Sequence, residues 1–350
     1  MQLFLDLRTV TLLSAATQHY WEAVVEACVP ILEDTDRLVL LLDNASAPTA
    51  FRTIEHVRLS RCWGRASART WAGRRELSLW VRRLCPDGYW SADPLIMPPR
   101  REYRATRIGC FAFSVEALKP FHREGIFTRW QWLRWWLQCG RKFCSADILF
   151  CPSHVLEVQL IVALGLQVRH RVRVIPNGVL PCFRPYSEEE VLVARRRWLV
   201  PKRYVLMIEG NSTPEELAVP LQALACNEEV SSVACVIVGR QGLSRKLQED
   251  VRNAHLEGLV RFVDEASISH KDLAALYSGA VATLEPSRQV EEPSSVLQSM
   301  ACGTPVICAA TQVCEELFGR AVLRVHPTDP MEWARALVML TLSLHLRERL

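Results

Sequence analysis

Hydrophobic and polar positions along this 350-residue chain alternate between two patterns. Short runs rich in Val, Ile and Leu predict strands at 3–7, 38–42, 56–59, 108–113 and 147–151. After a break, similar runs predict strands at 205–208, 233–238, 259–263, 280–284 and 305–308. Between them apolar residues recur at helical spacing, over 20–32, 75–84, 154–164, 188–199, 214–225, 244–255, 271–278, 296–301 and 330–342. Strand and helix in turn imply parallel sheets covered by helices on both faces. The two series are separated by PCFRPYSEEE. There Pro181, Pro185 and the acidic run after Ser187 read as a link followed by a helix start. The expected architecture is α/β: two doubly wound, Rossmann-like domains, 1–186 and 187–350, facing across a cleft.

Composition narrows the class. With 49% hydrophobic and 23% charged residues, the chain is neither disordered nor fibrous. A net charge of +4 is too small to call for nucleic acid as a partner. No apolar run reaches the ~18 residues that span a bilayer. The opening MQLFLDLRTVTLL lacks a basic start and is interrupted by Asp6, so no secretory signal is expected. Thirteen cysteines, with no CxxC pair, read as reduced thiols in a cytoplasmic protein. Neither they nor the nine histidines have metal-ligand spacing, so no metal is expected.

Charge is uneven. Between Arg58 and Arg107 twelve arginines face four acids, which suits either an anionic partner or a solvated surface. The segment 129–142 places Trp130, Trp132, Trp135 and Trp136 among Arg129, Arg134, Arg141 and Lys142. It reads either as a core-facing helix or as a peripheral contact with a membrane surface.

Three segments carry candidate chemistry. In VIPNGVLPCFRP a strand ends, Pro176 fixes the chain, and Asn177–Gly178 suits a left-handed turn at a sheet edge. In LEPSRQVEEPSSVLQSMACGTPVICA a strand runs through a loop into a helix starting near Val296. Ser294 and Ser295 are expected to cap that helix and leave amides for a phosphate. In IEGN and VGR, the small residues Gly210 and Gly239 at strand ends would let a ligand approach the backbone.

These segments, taken in order, resemble the retaining nucleotide-sugar glycosyltransferases of family 4, which have the GT-B fold. LFLDLR, VIPNGV with Phe183 and Pro185, YVLMIEGN, VIVGR, EPS, and MACGTPVI about 120 residues after VIPNGV stand in that family's order and spacing. The resemblance covers nearly the whole chain. It implies a nucleotide-sugar donor held mainly by the C-terminal domain and a glycan or lipid-linked acceptor held mainly by the N-terminal one. It also implies no metal or other cofactor, and a place in the cytoplasm or on the inner face of the membrane. Donor contacts would fall on Gly210, Asn211, Gly239, Arg240, Arg288, Ser294, Ser295 and Gln298, with Pro176, Asn177 and Gly178 in a cleft loop.

Several family positions are substituted. The histidine–aspartate pair after an N-domain strand falls on Phe113 and Ser114. The first of two glutamates eight positions apart falls on Val290, the second on Gln298. The lysine that meets the diphosphate falls on Glu216, leaving Arg240 or Arg288 to supply a cation. The family's glycines near the N-terminus are replaced by Ala16 and Thr17, and the chain stops at HLRERL before the family's final crossover helix. Two readings follow. One is a transferase that moves a hexosyl group with retention to a polysaccharide, lipopolysaccharide or glycolipid acceptor. The other is an inactive GT-B protein that serves as a binding or regulatory partner.

Overall fold

The computed structural model describes residues 1–7, 15–42, 57–61, 71–91, 96–97, 107–111, 136–210, 212–225, 233–239, 247–249, 251–252, 256, 258–288 and 294–349. The chain divides into two compact units, Met1–Asn177 and Gly178–Leu350.

In the first unit seven strands are described: β1 (Gln2–Asp6), β2 (Arg37–Leu42), β3 (Val57–Arg61), β4 (Gly88–Ser91), β5 (Arg107–Phe111), β6 (Ile148–Cys151) and β7 (Val172–Val174). They form one parallel sheet in the order β3-β2-β1-β4-β5-β6-β7. The register pairs Leu3 with Leu38 and Gly88, and Asp6 with Leu41 and Ser91. Because side chains alternate along a strand, the apolar run 38–42 serves two cores. Leu38, Leu40 and Leu42 join Leu3, Leu5, Trp21 and Val25 on one face. Val39 and Leu41 join Phe4, Leu77, Val81, Leu156 and Leu160 on the other. Three helices supply these covers: α1 (Ala15–Cys28), α2 (Trp71–Leu84) and α3 (His154–Leu164). Ser153 caps α3, its hydroxyl accepting the Leu156 N–H at 3.3 Å. Trp136, from the Trp/Arg segment, packs against the Phe4 core; the tryptophans before it lie outside the described residues.

The second unit has six described strands: β8 (Tyr204–Ile208), β9 (Ala234–Gly239), β10 (Val260–Asp264), β11 (Thr283–Glu285), β12 (Val306–Ala309) and β13 (Leu323–Val325). They pair in parallel as β10-β9-β8-β11-β12-β13. The helices are α4 (Glu188–Arg197), α5 (Pro214–Ala225), α6 (His270–Gly279), α7 (Ser294–Ala301), α8 (Gln312–Phe318), α9 (Pro330–Leu342) and α10 (Leu344–Arg349). Leu217, Leu221, Trp333 and Leu337 bury one sheet face with Val205, Met207 and Ile237. Val296, Cys314 and Phe318 cover Val306 and Cys308.

The tract between the two series belongs physically to the second unit. The Phe183 ring lies edge-on to Tyr277 with centroids 6.1 Å apart, and the Tyr186 N–H donates to the Ser278 hydroxyl at 3.1 Å. The helix start expected there is present: Ser187 and Glu190 close a reciprocal capping box on α4. The Asn177–Gly178 turn expected from sequence is absent, since neither residue has a positive φ. The reversal comes later. Phe183 N–H donates to the Leu180 carbonyl at 3.0 Å, with Pro181 at the turn position that favours its fixed φ.

Candidate functional site

A doubly wound sheet opens a crevice where its strand order reverses, outside the carboxyl ends of the strands. In the second unit β8 leads to β9 on one side while β11 lies on the other, so the crevice falls between β8 and β11. The residues leaving those two strands define the candidate site.

From β8 the chain runs through Glu209 and Gly210 to Thr213 and α5. Gly210 has φ +48°, a left-handed conformation suited to glycine. Thr213-Pro214-Glu215-Glu216 forms a capping box. The Thr213 hydroxyl accepts the Glu216 N–H at 3.3 Å, and Glu216 Oε2 accepts the Thr213 N–H at 2.8 Å. Pro214 at the first helical position has no N–H to leave unpaired. Gly239, at the end of β9, does not open space for a ligand as expected. A Cβ there would come 2.7 Å from the Glu209 Cβ, so the missing side chain accommodates buried Glu209.

From β11 the chain runs through Glu285, Pro286 and Ser287 to Arg288. Glu285 is buried and accepts the Ser295 hydroxyl and, at 3.3 Å, the Ser287 N–H. Burial pushes its carboxyl up to about 7. The two hydrogen bonds oppose that rise, and the neighbouring Glu216 charge adds to it. Arg288 turns back toward β8: its N–H donates to Glu216 Oε1 at 3.2 Å, and its Nε lies 3.6 Å from the same oxygen.

Helix α7 begins at Ser294, two residues before the expected start, so Ser294 and Ser295 lie in its first turn and do not cap it. The Ser295 hydroxyl turns to Glu285 instead. Gln298, one turn on, is buried, and its Oε1 accepts the Tyr277 hydroxyl at 3.3 Å. Behind α7, Gly303 has φ +76°, and the Thr304 hydroxyl donates to the Tyr277 carbonyl at 2.6 Å. MACGTPVI is thus a packed turn joining α7 to β12.

Of the residues singled out, Ser295 is therefore bonded to Glu285, Arg288 to Glu216, and Gln298 to Tyr277. Pro176 and Asn177 end the first unit and Gly178 begins the second. Phe113, Ser114, Asn211, Arg240 and Val290 lie outside the described residues. Sequence reasoning missed Glu209 and Glu285 as groups of this crevice. It also read Glu216 only as an unfavourable charge, although T-x-x-E before an apolar helix signals a capping box. Among the described residues no group of three or more His, Cys, Asp or Glu could hold a metal ion.

The first sheet reverses between β1 and β4. There buried Asp6 accepts the Tyr89 hydroxyl at 2.5 Å beside buried Ser91.

Solved structures share this chain's fold. The protein HepE of Anabaena in complex with UDP-glucose superposes with a TM-score of 0.72 at 14% identity, covering 99% of this chain and 91% of that one. WaaG, a glycosyltransferase involved in lipopolysaccharide biosynthesis, also gives 0.72 at 14% identity, covering 100% and 92%. The fold is that of the GT-B glycosyltransferases. Residues 197–350, nearly the whole second unit, match the family model of glycosyl transferases group 1. At the level of individual proteins, the chain is 24% identical over 229 residues to the O-antigen chain mannosyltransferase RfbU of Salmonella typhimurium. It is 32% identical over 188 residues to the D-inositol 3-phosphate glycosyltransferase of Salinispora tropica. These matches cover 64% and 48% of this chain, and 59% and 38% of the respective relatives, less than two thirds of either relative's length. No helix among the described residues is long and apolar enough to cross a membrane.

Proposed function

We propose that this protein is a glycosyltransferase that takes its sugar from a nucleotide-sugar, as a divergent member of family 4. The observation that carries the reading is the switch-point crevice between β8 and β11. It lies inside the stretch matched by the group 1 family model, and its loops present Arg288 and the first turn of α7. The HepE structures hold UDP, glucose or UDP-glucose, which supports the same ligand class here.

In this reading the bond from the anomeric carbon to the diphosphate breaks and the diphosphate takes the electron pair. The charge gathering there needs a cation or aligned amides held in advance. Arg288 supplies the cation, and the amides at the start of α7 supply aligned dipoles. Transfer to a polysaccharide, lipopolysaccharide or glycolipid acceptor with retention, without a metal, and at the inner face of a membrane completes the proposal. Its support is the family resemblance and the O-antigen relative.

The test is thermal melting of the full chain with UDP- and GDP-sugars and with free UDP and GDP. A ligand at about 100 times its dissociation constant adds about 2.7 kcal/mol. A selective shift names the nucleotide, and sugar release to water or an acceptor follows as the activity assay. If no nucleotide shifts the melt at millimolar concentration, the donor reading fails and the inactive-partner reading replaces it.

A further inference from the structure

Glu216 has no part in the reading above, yet its carboxylate meets groups from both loops of the crevice. One buried carboxylate ties together two loops whose strands are neighbours: it holds the Thr213 N–H, the Arg288 N–H and the Arg288 Nε. Its side chain is 6% exposed, whereas that of Arg288 is 42% exposed. The pair is therefore anchored at the carboxylate end and open to solvent along the arginine. A guanidinium can give its Nε to one oxyanion and its Nη groups to another, because its donors are spread over a rigid plane. Among the described residues Glu285 on β11 lies near enough for its charge and that of Glu216 to repel, so an anion entering here meets the Arg288 cation beside acidic neighbours.

We propose that Glu216 is a positioning residue that holds Arg288 over the carboxyl ends of β8 and β11 as the cation that meets the donor's diphosphate. The inference rests on the nucleotide-sugar reading of the crevice. Its physical basis is pre-organisation. A free arginine loses rotamer freedom when it clamps a phosphate, and one already fixed by a buried carboxylate loses less. Glu216 also lowers the net positive potential, so its removal has two opposed effects and the balance is measurable. Positioning predicts weaker diphosphate binding without Glu216; simple repulsion predicts tighter binding.

The experiment is calorimetric titration of the full-length wild type, Arg288→Ala, Glu216→Gln, Glu216→Ala and the Arg288→Ala/Glu216→Gln double variant. The probes are UDP, GDP, inorganic pyrophosphate and the phosphate-free nucleosides. Loss of Arg288 is expected to weaken the diphosphates roughly tenfold or more, the scale of a charge-assisted contact. Loss of Glu216 is expected to weaken them about threefold to tenfold, with the nucleosides unaffected. In the double variant the Glu216 effect disappears, because the side chain it positions is gone. Glu216→Gln keeps one acceptor oxygen, enough for the Thr213 or the Arg288 N–H but not for both, and its melting temperature reports folding should the alanine variant fail to fold. The inference is overturned if Glu216 variants bind pyrophosphate more tightly, if the two effects simply add, or if Arg288→Ala leaves diphosphate affinity unchanged. In those outcomes wild-type binding still supports the donor reading. A wild type that binds none of the probes overturns the donor reading and the inference with it.

Discussion

Glu285 has the most distinctive chemistry of any single residue in the described crevice. Its carboxyl is pushed up to about 7, chiefly by burial, against an ordinary value of 4.5. Between those two values the folded state holds more protons than the unfolded one. The group therefore costs nothing in acid, and stability falls as pH rises from about 4.5 to about 7 and is flat above. Glu285→Gln is expected to gain stability relative to the wild type between about pH 5 and pH 8, by an amount on the order of 3 kcal/mol. Melting curves across that range test it, and a pH-independent difference would contradict it. Gly239 offers a steric counterpart. Gly239→Ala must displace the Glu209 side chain and is expected to cost about 1–3 kcal/mol. Pairing it with Glu209→Gly, which removes the Cβ that the new methyl meets, should restore part of that loss, as denaturant titration of the three variants would show.

At the scale of elements, periodicity carried most of the fold. Each of the ten runs read as strands overlaps a described strand, because buried parallel strands are nearly continuous apolar runs. The missed strands β4 and β13 are four and three residues long, and GYWS and LRV are too short for a period to register, whereas β7 is the strand expected to end before Pro176. Helix α8, seven residues after the Thr311 cap, was missed for the same reason. The site was legible in part. Arg288, Ser295 and Gln298 were singled out, and the structure gives them the partners Glu216, Glu285 and Tyr277. Their partners were not legible, because the Glu216–Arg288 pair spans 72 positions and forms only where β11 lies beside β8. The Asn177–Gly178 turn failed because residue preference allows a left-handed turn without requiring one. At α5 the capping box gives a further test. Thr213→Ala removes the hydroxyl that accepts the Glu216 N–H and is expected to cost about 1 kcal/mol in chemical denaturation. By loosening Glu216 it should also weaken pyrophosphate binding.

On the scale of the whole molecule, each unit has its own buried clusters and its own sheet. A nucleotide that binds the second crevice is expected to slow hydrogen exchange in the loops after β8 and β11 more than in the first sheet. Exchange measured with and without UDP would show this, and equal protection in both sheets would contradict it. Trp333 is fully buried between α9 and the sheet, with its indole N–H donating to the His326 carbonyl at 3.2 Å. Trp333→Ala is expected to cost about 3–5 kcal/mol and to lower the melting transition of the chain. The tract from Leu180 to Tyr186 is fastened to α6 through Phe183 and the Ser278 hydroxyl, so the stretch that joins the two units is confined to the residues just after β7. That makes Gly178 a natural splice point. A chimaera joined there would carry each sheet intact, with the turn and capping box that open the second unit. Exchanging first units among related chains at this junction would then set a new first sheet beside an unchanged second crevice in a single crossover.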